Sequence, residues 1–178
     1  MSGPEGSSIK NPLLCVVVFI LCKRRSSIME DIQFMELAYQ QALIAKTLDE
    51  IPVGAIIVNN NQVIASGYNY RETTNKITSH AEINAIEEAA KILHSWKLDE
   101  CTLYVTLEPC MMCSGAIIQS KIKRVVFGAY ENNEIALSKI LFQTSDKEIR
   151  YHPTFTGGIL EEKCSSLIIE YFKNKRRK

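Results

Sequence analysis

"TLYVTLEPCMMCSGAIIQSKIKRVVFGAY", Thr102 to Tyr130, decides the fold. "TLYVTL" has the β-branched and aromatic content of a strand, "PCMMCSGAIIQS" reads as a helix, and "RVVFGAY" reads as a second strand. Pro109 suits the first turn of that helix, where its missing N–H costs nothing. Cys110 and Cys113 then share the first turn, three residues apart and facing the same way. A helix N-terminus favours negative charge and lowers thiol pKa, so both sulfurs are prepared as thiolates. The pair is a metal half-site, although Cys-x-x-Cys alone also fits a redox motif or half of a structural zinc site.

Working outward, Ile32, Met35, Leu37, Ala38, Ala42, Leu43 and Ala45 recur at helical spacing and predict a helix from about Asp31 to Lys46. "GAIIVNNNQVIASGY" (Gly54–Tyr68) reads as a hairpin around an Asn-rich turn. "SHAEINAIEEAAKIL" (Ser79–Leu93) reads as a helix capped by Ser79, with Ile83, Ile86, Ala90 and Leu93 on one face. Beyond Tyr130 the pattern predicts a helix around "NEIALSKILF" (Asn133–Phe142), an extended piece near Phe155 and a last helix. Helices alternating with strands imply an α/β class domain, three layers α/β/α around a central mixed sheet of about five strands.

The chain has 178 residues, 46% of them hydrophobic, which suits one domain with a sizeable core. The six cysteines (15, 22, 101, 110, 113 and 164) lack the spacing of a disulfide framework and point to a reducing compartment. A net charge of +1 gives no strong overall field for nucleic acid, so a polyanion would have to meet a local patch. "KNKRRK", Lys173 to Lys178, is such a patch, and taken alone it is a solvated terminus.

"LLCVVVFILC", Leu13 to Cys22, is a continuous apolar run. As a helix it would rise about 15 Å, half of a hydrocarbon core of about 30 Å, so it cannot span a bilayer alone. Its basic residues lie mainly after it, at Lys23–Arg25, and no small-residue cleavage pattern follows, which disfavours a signal peptide. Residues 1–28 therefore read as an N-terminal extension outside the folded domain, which would span 29–178 with 17 basic and 19 acidic residues.

Two sulfurs leave two coordination positions, and the other candidate ligands are His80, His94, His152, Cys101 and Cys164. His80 opens the second helix, so two helix N-termini can converge at one end of the sheet, where ligands of open α/β sheets gather. Alone, His80 reads as a cap or surface histidine and Glu82 as a carboxylate complementing the helix dipole. Taken with Pro109-Cys-x-x-Cys, the His-x-Glu pattern supplies three ligands, His80, Cys110 and Cys113, and leaves the fourth position to water, as in catalytic zinc sites. Zinc lowers the pKa of bound water, and Glu82 can take its proton. A purely structural site would instead be closed by His94, His152 or Cys101.

"PVGAIIV", "GYN", "HAEINAI", "LYVTLEPCMMCSGAI", "RVVFGA" and "GGILEEKCSSLIIEYFKNKR" resemble the bacterial tRNA-specific adenosine deaminases, of the cytidine deaminase-like zinc superfamily, from about Met29 to the end. The resemblance implies a cytidine deaminase-like fold, one Zn2+ per subunit, a cytoplasmic homodimer with no membrane association, and a tRNA anticodon stem-loop as partner. It implies hydrolytic conversion of adenosine to inosine at the wobble position, with Glu82 carrying protons to the ring nitrogen and the leaving ammonia and Asn69 bonding the extruded nucleoside. Asn69 otherwise reads as a turn residue. Unstacked loop bases suit this chemistry, and the tail residues Lys173, Lys175, Arg176, Arg177 and Lys178 become candidate phosphate contacts. After "VVFGA" the family continues with an Asp, a Lys and several glycines in an RNA-contacting region. Here the chain reads "YENNEIALSKI", with Glu131 near the Asp position and no glycine from Glu131 to Thr156. The competing readings are a small-base deaminase acting on guanine or cytosine and a non-catalytic tRNA-binding subunit of the same fold, which would not need Glu82.

Overall fold

A five-stranded mixed sheet in the order β2-β1-β3-β4-β5 forms the centre of the computed structural model, which describes residues 12–131, 136, 138, 139 and 151–176, with side chains from 27 onward. The elements are α1 (Pro12–Thr47), β1 (Gly54–Asn59), β2 (Gln62–Tyr68), α2 (Arg71–Thr74), α3 (Ala81–Ile92), β3 (Cys101–Leu107), α4 (Met111–Gln119), β4 (Arg124–Ala129), β5 (Thr154–Thr156) and α5 (Glu161–Lys175). β1 pairs antiparallel with β2 and β3, whereas β3, β4 and β5 run parallel. The helix expected around Asn133–Phe142 falls almost wholly outside the described residues.

Strand side chains alternate between two cores, as a sheet covered on both faces requires. Ile57, Leu103, Val105, Val125 and Phe127 join the core containing Ala81, Ala85, Ala89 and Ile117 from α3 and α4. Ile56, Val58, Tyr104 and Val126 join the other, with Met35 and Ala38 of α1 and Cys164 of α5. Polar groups inside the second layer are paired. Asp31 receives the Tyr104 hydroxyl at 2.9 Å and two Arg124 guanidinium bonds at 2.8 and 2.7 Å.

Three details depart from the sequence expectation. α1 begins at Pro12 rather than near Asp31, because no glycine or second proline interrupts residues 13–47 and Pro12 suits a first helical position. Among the described residues no helix is long and apolar enough to cross a membrane. The buried face of α3 is Ala81, Glu82, Ala85, Ile86 and Ala89, rotated from the predicted Ile83–Leu93 face. Gly67 explains the rotation: a Cβ there would lie 2.4 Å from the Ala81 carbonyl oxygen and 2.6 Å from the Ala85 nitrogen, so the helix approaches β2 on its small side chains. The N-cap of α3 is His80, not Ser79, whose hydroxyl instead meets Asn84 Oδ1 at 3.3 Å.

Candidate active site

His80 and Cys110 occupy equivalent places, each the N-cap of its helix in extended backbone, with no side-chain capping bond. An N-cap side chain normally accepts from the first-turn N–H groups. Imidazole and thiol do not do so here, and they turn toward each other instead. Cys110 therefore lies one position before α4 and Cys113 in its first turn. Their sulfurs are 3.8 and 3.6 Å from His80 Nδ1, and all three ligand atoms fall within 4.8 Å of one another. Among the described residues this is the one His/Cys/Asp/Glu group able to hold a metal ion. Cys101 is placed elsewhere, its sulfur accepting from Asn59 Nδ2 at 3.4 Å, and His94 is exposed beyond the end of α3. Neither closes the group as a structural zinc site would require.

The electrostatics suit a cation. The Cys113 thiol donates to Cys110, which with help from His80 lowers the Cys110 thiol to about 3. The same bond, and then burial, raise Cys113, whose thiol proton is the one directed at Cys110. A divalent ion would displace that proton, since ligating cysteines are thiolates. His80 is raised chiefly by its contact with Cys110. Glu82 is only 4% exposed, and burial lifts its carboxyl above the usual range, with the Cys110 charge adding to the rise. A carboxyl whose protonated form is favoured by burial is the kind of group that serves as a general acid and base.

His80, Glu82 and Cys110 line a cleft of about 180 Å³, with Cys113 buried behind them. Ile51, Val53 and Leu107 give it apolar walls, and Asn69, Arg71 and Glu72 form the side facing the cluster. Glu108 and Glu131 complete the rim.

Residues 29–175 match the model of the MafB19-like deaminase family. A tRNA-specific adenosine deaminase of Bacillus subtilis (strain 168) is 36% identical over 149 residues, covering 84% of this chain and 92% of that protein. One from Buchnera aphidicola subsp. Baizongia pistaciae is 43% identical over 148 residues, covering 83% and 91%. The chain belongs to the tRNA-specific adenosine deaminase family. A structure solved in studies of A-to-I editing by tRNA:A34 deaminases superposes with a TM-score of 0.70 at 34% identity, covering 76% of this chain and 98% of that one. A guanine deaminase from Nitrosomonas europaea superposes at 0.65 with 23% identity, which shows the shared fold alone.

Two buried carboxylates beside this cleft carry no strong signal in the sequence. Glu50, fully buried, accepts from Asn69 Nδ2 at 3.2 Å, the Glu72 N–H at 3.2 Å, the Thr73 N–H at 2.7 Å and the Thr73 hydroxyl at 2.8 Å. Burial pushes its carboxyl up, but the bonds from Thr73, Glu72 and Arg71 outweigh that, and the net shift is downward. Glu108 accepts from the N–H groups of Glu131 at 3.2 Å and Ser138 at 3.0 Å, tying the segment after β4 to the cleft. The only sequence signal for either is an acid abutting an apolar strand. Of the basic tail, Lys173, Lys175 and Arg176 are exposed on or just after α5, away from the cleft lining, and Lys175 pairs with Asp49 at 2.9 Å. Arg177 and Lys178 lie outside the described residues.

Proposed function

We propose that this chain is a zinc-dependent hydrolase that converts adenosine to inosine at the wobble position of a tRNA anticodon. The observation that carries the reading is the meeting of His80, Cys110 and Cys113 within 4.8 Å, beside buried Glu82, in a cleft faced by Asn69. The donor set fits zinc: one imidazole and two thiols are borderline-soft ligands, and three protein ligands are the number found at catalytic sites. A bound zinc ion supplies Lewis-acid activation of water. At 180 Å³ the cleft is smaller than pockets for drug-sized ligands, about 300–1,000 Å³, and suits one extruded base.

The remaining work belongs to the chain's own groups. Glu82 takes one proton from the attacking water and passes it to N1 of the purine as oxygen adds at C6, then takes the second from the new C6 hydroxyl and passes it to the amino group, so that the C6–N bond breaks, C6=O forms and ammonia leaves. Asn69 orients the base by hydrogen bonding, and Ile51, Val53 and Leu107 keep bulk water from its plane. We assign the catalytic domain to residues 29–178, with 1–28 an extension; the family match over 29–175 supports this. A homodimer, a cytoplasmic location and tail contacts to tRNA phosphates belong to the same proposal. The family resemblance supports them, as do the four unpaired cysteines among the described residues for the reducing location.

The test is incubation of the zinc-loaded 178-residue chain with total tRNA, sequenced for adenosine-to-inosine change, alongside ammonia release from free guanine and cytosine. Inosine at wobble positions is expected. Ammonia from a free base with unchanged tRNA would replace the proposal with the small-base reading.

A further inference from the structure

Glu50 comes from the turn after α1 and touches none of the metal-ligating residues, yet its two oxygens collect four donors, all from Asn69–Thr73. An ionised carboxylate offers about four acceptor sites and no donor. Every group that meets it from Asn69, Arg71, Glu72 and Thr73 is thus a donor, as an acceptor-only carboxylate requires, and no other side chain of that size has the same pattern.

We propose that Glu50 is the positioning residue for Asn69, fixing which end of the Asn69 amide the base meets and holding the α2 wall in register with it. This rests on the reading of Asn69 as the residue that binds the base. Because a carboxylate can only accept, the Asn69 NH2 group must face Glu50, which leaves Oδ1 as the free acceptor. The Asn69 backbone is held independently, its N–H donating to the Val53 carbonyl at 3.0 Å, so rotation of the side chain is the freedom that Glu50 removes. The oxygen that accepts from Asn69 also accepts from the Glu72 N–H, and Arg71 and Glu72 line the same cleft. The orientation of the amide and the position of the wall are thus one event. In Glu50→Gln the new NH2 group must face at least one donor, Asn69 Nδ2 or the Thr73 N–H, and a repelled Asn69 amide turns over.

The experiment is a double-mutant cycle on the zinc-loaded chain, with kcat and KM measured on an anticodon stem-loop for Glu50→Gln, Asn69→Ala and both together. Each single change is expected to lower kcat/KM about tenfold, the scale of one hydrogen bond to a charged group, and the double change by less than about threefold more. Zinc content should stay at the wild-type value. A double variant about 100-fold down, the product of the single effects, overturns the coupling. A second measurement needs neither activity nor a folded Glu50 variant. In the 15N-asparagine spectrum of the wild-type chain, one Asn69 side-chain N–H, assigned by its loss in Asn69→Ala, should exchange far more slowly than those of exposed Asn60 and Asn61. Equal exchange overturns the Glu50–Asn69 bond. A wild-type chain that leaves tRNA unchanged yet protects this proton would refute the proposed reaction and not the positioning.

Discussion

The side of the cleft that holds His80, Cys110 and Cys113 and the Asn69 side are built differently. His80 and Cys110 stand at the N-termini of α3 and α4, helices of 12 and 9 residues whose inner faces enter the core beneath the sheet. Their placement is the sum of many apolar contacts, each small and collectively large. Opposite them, α2 has four residues, none of them buried. An isolated helical turn does not persist in water on its own, and this one is tied down by the buried Glu50 carboxylate, with the N–H of its N-cap Tyr70 donating to the Ser79 carbonyl at 3.0 Å. The first wall should resist single substitutions away from its ligands, and the second should depend on one residue.

The largest expected effect lies on the first wall. Glu82→Gln should lower kcat by about 10²- to 10⁴-fold, the range for a general acid–base group, while zinc content stays unchanged. Stopped-time assays with parallel metal analysis check both. Near-normal turnover would remove Glu82 from the chemistry, and lost zinc would make it part of the metal site instead.

A second perturbation tests whether packing holds this wall. Gly67→Ala would put a Cβ 2.4 Å from the Ala81 carbonyl and force α3 away from β2. Overpacking of this kind costs about 1–3 kcal/mol, visible as a lower urea midpoint. Because His80 rides on α3, zinc affinity should fall with stability. Unchanged affinity in a destabilised variant would show that the ligands are held by something other than the helix.

The same contrast explains what could be read from the sequence. His80, Cys110 and Cys113 were legible because each sits at a helix start marked by its neighbours, and helix starts are local signals. The strands were legible from apolar runs, and five of them form the sheet. On α3 hydropathy favours Ile83 and Leu93 over Ala81, Ala85 and Ala89, whereas close approach at Gly67 selects the small residues as the buried face. Glu50 was invisible because its partners lie 19 to 23 positions away and depend on the fold. Glu108 was invisible for the same reason, its partners being 23 and 30 positions away. Local chemistry marks the His80, Cys110 and Cys113 cluster, and only tertiary structure marks what surrounds Asn69.

Acid titration separates the walls by sign. Glu50 has its folded pKa below the ordinary 4.5, so its contribution to stability is present above that value and is lost as pH falls through the folded pKa. Glu82 is raised by burial, so in chelator-treated protein its contribution is present below the ordinary value and is lost as pH rises through the folded pKa. The urea midpoint of wild type relative to Glu50→Gln should therefore decline from neutral pH toward pH values below 4.5. The midpoint relative to Glu82→Gln should decline in the opposite direction. Parallel curves would mean that hydrogen bonding at Glu50 does not outweigh its burial.

The smallest expected effect concerns a region that belongs to neither wall. Lys173, Lys175 and Arg176 were legible only as charge, and the structure puts them on or just after α5, away from the cleft lining. Lys175 already meets Asp49, so part of its charge is neutralised within the chain. If the tail touches tRNA, it does so as a phosphate contact that carries no sequence information. Lys173→Ala should then weaken tRNA binding by a factor of a few and reduce the slope of log affinity against log salt by about 0.7–0.9, the release of one counterion. It should leave kcat unchanged, because nothing in the cleft moves. Lys175→Ala should do less, because its counter-charge is already present. Equal slopes for wild type and Lys173→Ala would assign phosphate binding to another surface, with Arg71 at the cleft rim the next residue to change.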